Sequence, residues 1–329
     1  MDALLWVDGL YAELCGSFAG PLKEEARRLP FTLGLSREPE TPWSLVFAQE
    51  ITLAAPALVA EAMPEVPVSV VRKALFAHAL AVIDAMGRDR IEDGQVNATP
   101  ALRKVLDGIR ARRDRLLLRV ADGRGAPLDP ASADRELVLA SQLERDLLLG
   151  RRRVDFAIYE AVSRRKQWAG LLASSALAAY AEWTPARTAA LRRVLLSAAM
   201  GLQIFDDVID WEEDAASGRA WAVALARGAQ RQASLAQTPR SDGVLVKSTR
   251  GSDVHGASVL PRMLDRARFH FRVAGRIGGV LGASRLALWA HERSASLRDL
   301  AERERRSAGY VGRARKLAPW AQAVLDPRS

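Results

Sequence analysis

The chain has 329 residues, of which 49% are hydrophobic and 26% are charged; this composition excludes a disordered chain and indicates a folded protein with a sizeable core. Its single cysteine, Cys15, excludes an internal disulfide framework, and its four histidines lack the spacings of common zinc sites. The net charge of +9 comes from basic residues that are spread along the chain without interleaved aromatic residues, so we expect a small anionic ligand and no nucleic acid.

Two further features bear on where the protein acts. The longest uncharged run, from Gln167 to Ala181, is shorter than the roughly 20 apolar residues that a membrane-spanning helix needs. The first residues include Asp2 and Asp8 but no basic stretch of the kind that begins a secretory signal. We therefore expect a cytoplasmic protein that is not an integral membrane protein.

Apolar residues recur with helical spacing along nearly the whole chain, and no run has the alternation that is typical of strands. Pro64, Pro67 and Gly94 interrupt the pattern in the first half. This half is predicted to contain the helices Trp43 to Met63, with a kink at Pro56, then Ser69 to Asp93, Pro100 to Ala121, Ser132 to Gly150 and Arg153 to Ala181, the last two being one long helix or two abutting helices.

The pattern continues in the second half. Thr184 followed by Pro185 is typical of a helix start and predicts a helix that continues to about Asp214. Residues Gln237 to Ser258 are polar and aperiodic, which predicts a mobile loop or lid. Further helices are predicted from Leu260 to Arg305 and from Leu317 to Leu325. The sequence thus predicts one all-α domain over residues 1–329, with about ten helices and more than half of its residues helical.

An acidic segment in an apolar helix is the most informative feature. Asp206, Asp210 and Asp214 fall within about 80° of one another on a helix, and Gln203 lies on the same face. Like charges four residues apart destabilise a helix, and the residues before them, 194–205, are mostly apolar. A bound cation would remove this conflict, and ligands with only oxygen donors suit Mg²⁺. The alternative is a solvated acidic helix face.

A second acidic pair lies at the end of an earlier apolar helix. Asp89 and Asp93 are four residues apart and share a face, whereas Asp84 lies about 140° from Asp89 and is not expected to join them. If the two acidic groups face each other across a helical bundle, they can hold several Mg²⁺ ions around one diphosphate.

These motifs resemble those of the class I isoprenoid (terpenoid) synthase superfamily. Residues Gln203 to Asp210 resemble the second aspartate-rich motif of trans-isoprenyl diphosphate synthases, and Asp214 also fits it. Residues 213–219 are similar instead to phytoene and squalene synthases. Tyr159 and Lys166 resemble a Tyr…Lys-Thr segment whose lysine contacts diphosphate, although Gln167 replaces the threonine. The resemblance spans about 140 residues, from Phe76 to Arg219.

The resemblance implies a helical bundle with a central apolar cavity, an isoprenoid diphosphate substrate, several Mg²⁺ ions and a possible homodimer. It also implies roles for individual residues. The catalytic residues would be Asp206, Asp210 and Lys166; the substrate-binding residues would be Lys166, Arg219, Gln203 and Tyr159; and the metal ligands would be Asp89, Asp93, Asp206, Asp207, Asp210 and Asp214.

The sequence departs from the pattern of chain-elongating synthases at the first motif. Arg90 stands where a second aspartate is usual, and residues Gly94 to Thr99 lack the basic pair that usually follows. We also find no Gly-Gly-Lys-Arg segment near the N-terminus. Because these basic residues bind a second diphosphate, their absence favours an enzyme that acts on one diphosphate.

The leading interpretation is therefore a Mg²⁺-dependent terpene synthase-like enzyme that ionises an allylic isoprenoid diphosphate. A prenyltransferase with the same fold is the first alternative. A non-catalytic helical binding protein is the second, and Arg90 in the first motif favours it. A basic helical nucleic-acid binder depends on net charge alone.

Overall fold

The computed structural model describes residues 3–47, 49–121, 129–150, 152–237 and 258–325. Every regular element in these ranges is helical, and none of their residues lies in a strand. The prediction of an all-α protein is confirmed. No helix in the described ranges combines the length and the apolarity that crossing a membrane requires.

The N-terminal half contains ten helices among its described residues. They are α1 (Ala3–Ser17), α2 (Pro21–Arg27), α3 (Leu29–Thr32), α4 (Trp43–Val46), α5 (Glu50–Val59), α6 (Val68–Glu92), α7 (Pro100–Ala121), α8 (Pro130–Leu148), α9 (Phe156–Lys166) and α10 (Trp168–Tyr180), with one 3-10 turn at Ala60–Ala62. The predicted bounds of α6 and α7 agree to within one residue. The single helix predicted from Trp43 is wrong, because the chain is extended at Phe47 and Gln49.

The C-terminal half contains five helices in the described ranges. They are α11 (Pro185–Ile209), α12 (Trp211–Ala216), α13 (Trp221–Gln237), α14 (Val259–Leu281) and α15 (Ser284–Leu325). Thr184 caps α11 as predicted, since its hydroxyl accepts a hydrogen bond from the Arg187 amide at 3.3 Å. The region from Leu260 to Arg305 is helical as predicted, but it is divided into two helices. Gly282 has a left-handed φ of 88° and ends α14, and the predicted separate helix at Leu317 is part of α15.

The described chain divides into two compact units. Unit 1 comprises residues 1–139, 166–196 and 274–289, and unit 2 comprises residues 140–165, 197–273 and 290–329. The single domain over residues 1–329 stays a prediction. The predicted lid also stays a prediction, because its residues 238–257 lie outside the described part of the chain.

Unit 1 is built around α6, which packs against α5, α7 and α10. Its buried face is a run of apolar residues that includes Leu75, Leu80 and Ile83, all with no exposed surface. Gly87 lets α7 approach closely, since a Cβ atom there would lie 2.8 Å from the Leu106 side chain. This packing fixes the end of α6, where the first acidic pair lies.

Unit 2 contains the end of α11 and the helices that surround it in that unit. Gly201 faces the buried ring of Phe271, and a Cβ atom at this glycine would lie 2.7 Å from that ring. The same unit buries Tyr159 and Trp221, whose ring centres are 4.9 Å apart. These contacts hold the C-terminal part of α11 in place, and with it the second acidic segment.

Candidate functional site

The three predicted carboxylates of unit 2 lie at the junction of α11 and α12. The amide of Asp210 donates to the carbonyl oxygen of Asp206, and the amide of Asp214 donates to that of Asp210, each at 2.9 Å. The helical turn therefore continues through the junction although α11 ends at Ile209. Asp206 and Asp210 are exposed, and Asp214 is half-buried.

The charges of these carboxylates oppose one another. The pKa of Asp206 rises to about 6 because the surrounding protein removes water from the carboxyl group and because Asp210 lies nearby. Burial and the same Asp210 also raise the pKa of Asp214, while Arg219 lowers it. The face therefore carries its negative charge at a cost, which a bound cation would remove.

The donor set suits a hard divalent ion, but the carboxylates do not form a closed cage. Among the described residues, no group of three or more His, Cys, Asp or Glu side chains is arranged to hold a metal ion. Mg²⁺ usually binds to proteins through one or two carboxylates, and substrate phosphates and water complete its shell. The exposed Asp206 carboxyl group, with its raised pKa, fits an ion that arrives together with a phosphorylated ligand.

Asp207 does not belong to this exposed face. It is 9% exposed, and its two oxygens accept hydrogen bonds from the Tyr159 hydroxyl and, at 3.0 Å, from the Gln203 amide nitrogen. Asp207 was predicted as a metal ligand, and Tyr159 and Gln203 as substrate-binding residues. In the structure, Tyr159 and Gln203 instead donate hydrogen bonds to Asp207, and these bonds connect α9 to α11 within unit 2.

A second buried contact, with Trp221, holds the ring of Tyr159 in place. Its ring packs against Trp221, whose indole nitrogen donates to a Glu144 carboxylate oxygen at 2.7 Å. Burial and the neighbouring Asp207 raise the pKa of Tyr159 well above its usual value, so the hydroxyl remains a donor. No sequence pattern indicates the contact of Glu144 with Trp221, because 77 residues separate them.

Arg219 follows the acidic segment directly. Its amide donates to the carbonyl oxygen of Asp214 at 2.8 Å, and Gly218 takes a left-handed φ of 77° in the turn before it. The guanidinium Nε donates to the Ser217 hydroxyl at 3.2 Å. The turn therefore places a positive charge near Asp214, and the role of Arg219 in binding a substrate stays a prediction.

In unit 1, the structure brings two predicted residues together. The ammonium of Lys166 lies 3.6 Å from a carboxylate oxygen of Asp89, although the two residues are far apart in sequence. Asp93 caps the end of α6, and its amide donates to the carbonyl oxygen of Asp89 at 2.9 Å. Lys166 and Asp89 thus form an ion pair in unit 1, and Asp93 follows one helical turn after Asp89.

Asp84 and Arg90 lie apart from this group. Asp84 is 1% exposed and binds Arg88 and Arg110 at 2.7 and 2.9 Å, which agrees with its predicted separation from Asp89. The guanidinium of Arg90 lies against Gly34, where a Cβ atom would be 3.4 Å from its Nη2. The arginine that replaces a motif aspartate therefore packs toward the turn after α3.

No family model and no curated protein matches the sequence. Solved structures do match the fold. A geranylgeranyl pyrophosphate synthetase from the archaeon Geoglobus acetivorans is 16% identical, with 89% of this chain and 96% of that chain covered and a TM-score of 0.61. A polyprenyl synthase from Caulobacter crescentus is also 16% identical, with 88% and 94% covered and a TM-score of 0.57. One from Roseobacter denitrificans is 17% identical, with 88% and 95% covered and a TM-score of 0.56.

At these identities the likeness shows the fold. The chain has the all-α fold of isoprenoid synthases, and the fold implied by the aspartate-rich motifs is confirmed. What the protein does with that fold is a separate question, because one fold can carry different reactions.

Proposed function

We propose that the protein is a divalent-metal-dependent, terpene synthase-like enzyme that ionises one allylic isoprenoid diphosphate. The observation that carries this proposal is the carboxylate face of Asp206, Asp210 and Asp214, where partial loss of water and the neighbouring Asp210 raise the pKa of Asp206 and of Asp214. Such a face stores an unfavourable charge that a metal–diphosphate complex would relieve.

Mg²⁺ is the proposed ion, and several ions are expected. Asp206, Asp210 and Asp214 would hold it in unit 2, and Asp89 with Asp93 would do so in unit 1. The polyprenyl synthase from Caulobacter crescentus is described as a complex with calcium and isoprenyl diphosphate, which supports the use of a divalent ion by this fold. When bound, the ions would neutralise the charge that grows on the leaving diphosphate.

The residues of this chain have distinct proposed roles. Lys166 and Arg219 supply fixed positive charge to the diphosphate oxygens. Asp207, Tyr159 and Gln203 are assigned a positioning role, since their hydrogen bonds to one another hold α11 in register. The allylic carbon–oxygen bond breaks heterolytically, and the electron pair leaves with the diphosphate. The carbocation closes on an alkene of the same isoprenoid molecule and then loses a proton to the released diphosphate.

A prenyltransferase is the second candidate, and the names of the structural neighbours favour it. It differs in needing a second substrate, whose alkene captures the carbocation. Against it stands the segment Gly94 to Thr99, which has no basic residue to hold a second diphosphate.

The test is incubation of the purified chain with Mg²⁺ and geranyl, farnesyl, geranylgeranyl or longer diphosphates, each alone and then with isopentenyl diphosphate. A terpene from one diphosphate alone, lost on chelation and in Asp206→Asn, supports the proposal. Glu212→Gln is the matched control, because Glu212 is exposed and lies about 120° from Asp206 on the helix. Product only with isopentenyl diphosphate would support the prenyltransferase, and metal-independent binding without turnover would support a non-catalytic protein.

A further inference from the structure

Helix α14 exposes one face whose chemistry the proposed reaction does not use. The helix has five arginines but only one acidic residue, Asp265. Its outward positions follow helical spacing and carry Arg262, Arg266, Phe269, Arg272, Arg276 and Val280, all of them exposed. The opposite side is buried and apolar, with Met263, Leu264, Ala267 and Phe271 in the core. We call the six outward residues the basic face of α14.

Apolar side chains lie within this basic face. Phe269 is 58% exposed and Val280 is 89% exposed. Phe269 lies three residues from both Arg266 and Arg272, so arginines precede and follow it along the exposed face of the helix. An exposed ring and an exposed valine among four arginines indicate a surface that meets anions and an apolar layer together.

Neighbouring helices of unit 2 contribute further arginines as well as a carboxylate that pairs with them. The guanidinium carbons of Arg262 and Arg266 each lie 4.8 Å from the centre of the Phe156 ring of α9. Arg266 shares Glu160 with Arg164, at 2.5 and 3.2 Å, so one carboxylate faces two guanidinium groups. Asp265 is likewise shared by Arg268 and Arg305, at 3.4 and 2.5 Å. The surface keeps an excess of positive charge.

We propose that the basic face of α14 docks on an anionic membrane surface, with the helix axis parallel to the bilayer. The arginines would bind lipid phosphates while Phe269 and Val280 reach the boundary of the acyl chains. A second copy of this face is a poor partner, because an arginine stripe repels itself. Nucleic acid would satisfy the arginines but would leave Val280 without an apolar partner.

The test is flotation of the full chain with vesicles of phosphatidylcholine, with or without phosphatidylglycerol, without Mg²⁺ or diphosphate. We expect binding only with the anionic lipid, and weaker binding as salt rises. Replacing both Arg272 and Arg276 with Gln should lower the partition coefficient about thirtyfold, since each arginine near an anionic surface contributes about fivefold. Phe269→Ser should lower it about tenfold and leave the salt dependence unchanged.

A matched control lies on α7, where Arg115 and Arg119 are also exposed, four residues apart. Replacing both with Gln should change the partition coefficient less than about twofold, and circular dichroism should show all variants folded. Equal effects of the two double variants, binding to neutral vesicles alone, or binding to labelled RNA but not to vesicles would overturn the proposal. Because no substrate is present, this result is independent of whether the proposed reaction occurs.

Discussion

Asp206 is charged at neutral pH at a cost to the folded protein, and this cost can be measured. Its pKa is about 6 in the fold, against an ordinary value of 3.8. Between these values the folded protein binds more protons than the unfolded chain, so the contribution of Asp206 to stability falls as pH rises from about 4 to 6 and stays low above that. Asp206→Asn removes the charge and should stabilise the metal-free protein at pH 7 to 8.

The size of the effect follows from the pKa. A shift of about two units corresponds to roughly 3 kcal/mol for a fully shielded group, at about 1.4 kcal/mol per unit. Because Asp206 is exposed, solvent screens most of this energy, and we expect its charge to destabilise the fold by about 1 kcal/mol. For a chain of this length, removing this energy in Asp206→Asn should raise the melting temperature by about 2 °C.

The assay is thermal unfolding with and without Mg²⁺, with Glu212→Gln as the control. The unmodified chain should gain about 2.7 kcal/mol at a Mg²⁺–diphosphate concentration of 100 times its dissociation constant, and Asp206→Asn should lose most of that gain. The control should change neither value. If Asp206→Asn melted lower than the unmodified chain in the absence of metal, or kept the full gain with metal, the reasoning about this carboxylate would be wrong.

Three further predictions concern the surroundings of the acidic segment. Tyr159→Phe should lower the free energy of unfolding by about 2 kcal/mol in chemical denaturation, because it leaves a buried Asp207 oxygen without its donor. Gly201→Ala should lower it by about 1–3 kcal/mol by pressing on Phe271, and Phe271→Leu in the same chain should restore part of the loss. Isopentenyl diphosphate should be a poor co-substrate in product analysis: without two or three charge-assisted hydrogen bonds at residues 94–99, its affinity should be at least about a hundredfold weaker than that of the allylic diphosphate.

The sequence predicted the long helices α6 and α7 closely because proline and glycine mark their ends, whereas α1, α2, α3 and α13 were not predicted. Pro100 begins α7, and Gly94 follows α6. A glycine, Gly282, also stands at the end of α14, but this end was not predicted because the apolar pattern continues on both sides of it. Neither proline nor glycine marks the break between α11 and α12 at Asp210. The Asp210 amide still donates to the Asp206 carbonyl oxygen, and the Asp214 amide still donates to that of Asp210, so the break is a small change of backbone angle.

The acidic segment was predictable as a pattern, but its internal division was not. Asp207 lies about 100° from Asp206 on a helix, which indicates that the two adjacent carboxylates face different surroundings. What surrounds Asp207 depends on Tyr159, 48 residues earlier, and a helical wheel contains no such long-range contact. In unit 1, Lys166 was predicted from a motif, whereas its contact with Asp89 depends on how α6 packs in that unit.

The adjacent residues Asp206 and Asp207 therefore have opposite effects on the stability of α11. Asp207 is buried, and donors from Tyr159 and Gln203 satisfy both of its oxygens, so it fixes the position of α11. Asp206 is exposed beside Asp210 and has a raised pKa, so a bound cation would stabilise its charged form. The first arrangement supports the second, because the contacts of Asp207 hold α11 against the surrounding helices of unit 2, and this packing keeps water from the Asp206 carboxyl group. Loosening the Asp207 contacts should thus lower the pKa of Asp206 toward 3.8 and weaken its preference for metal over protons.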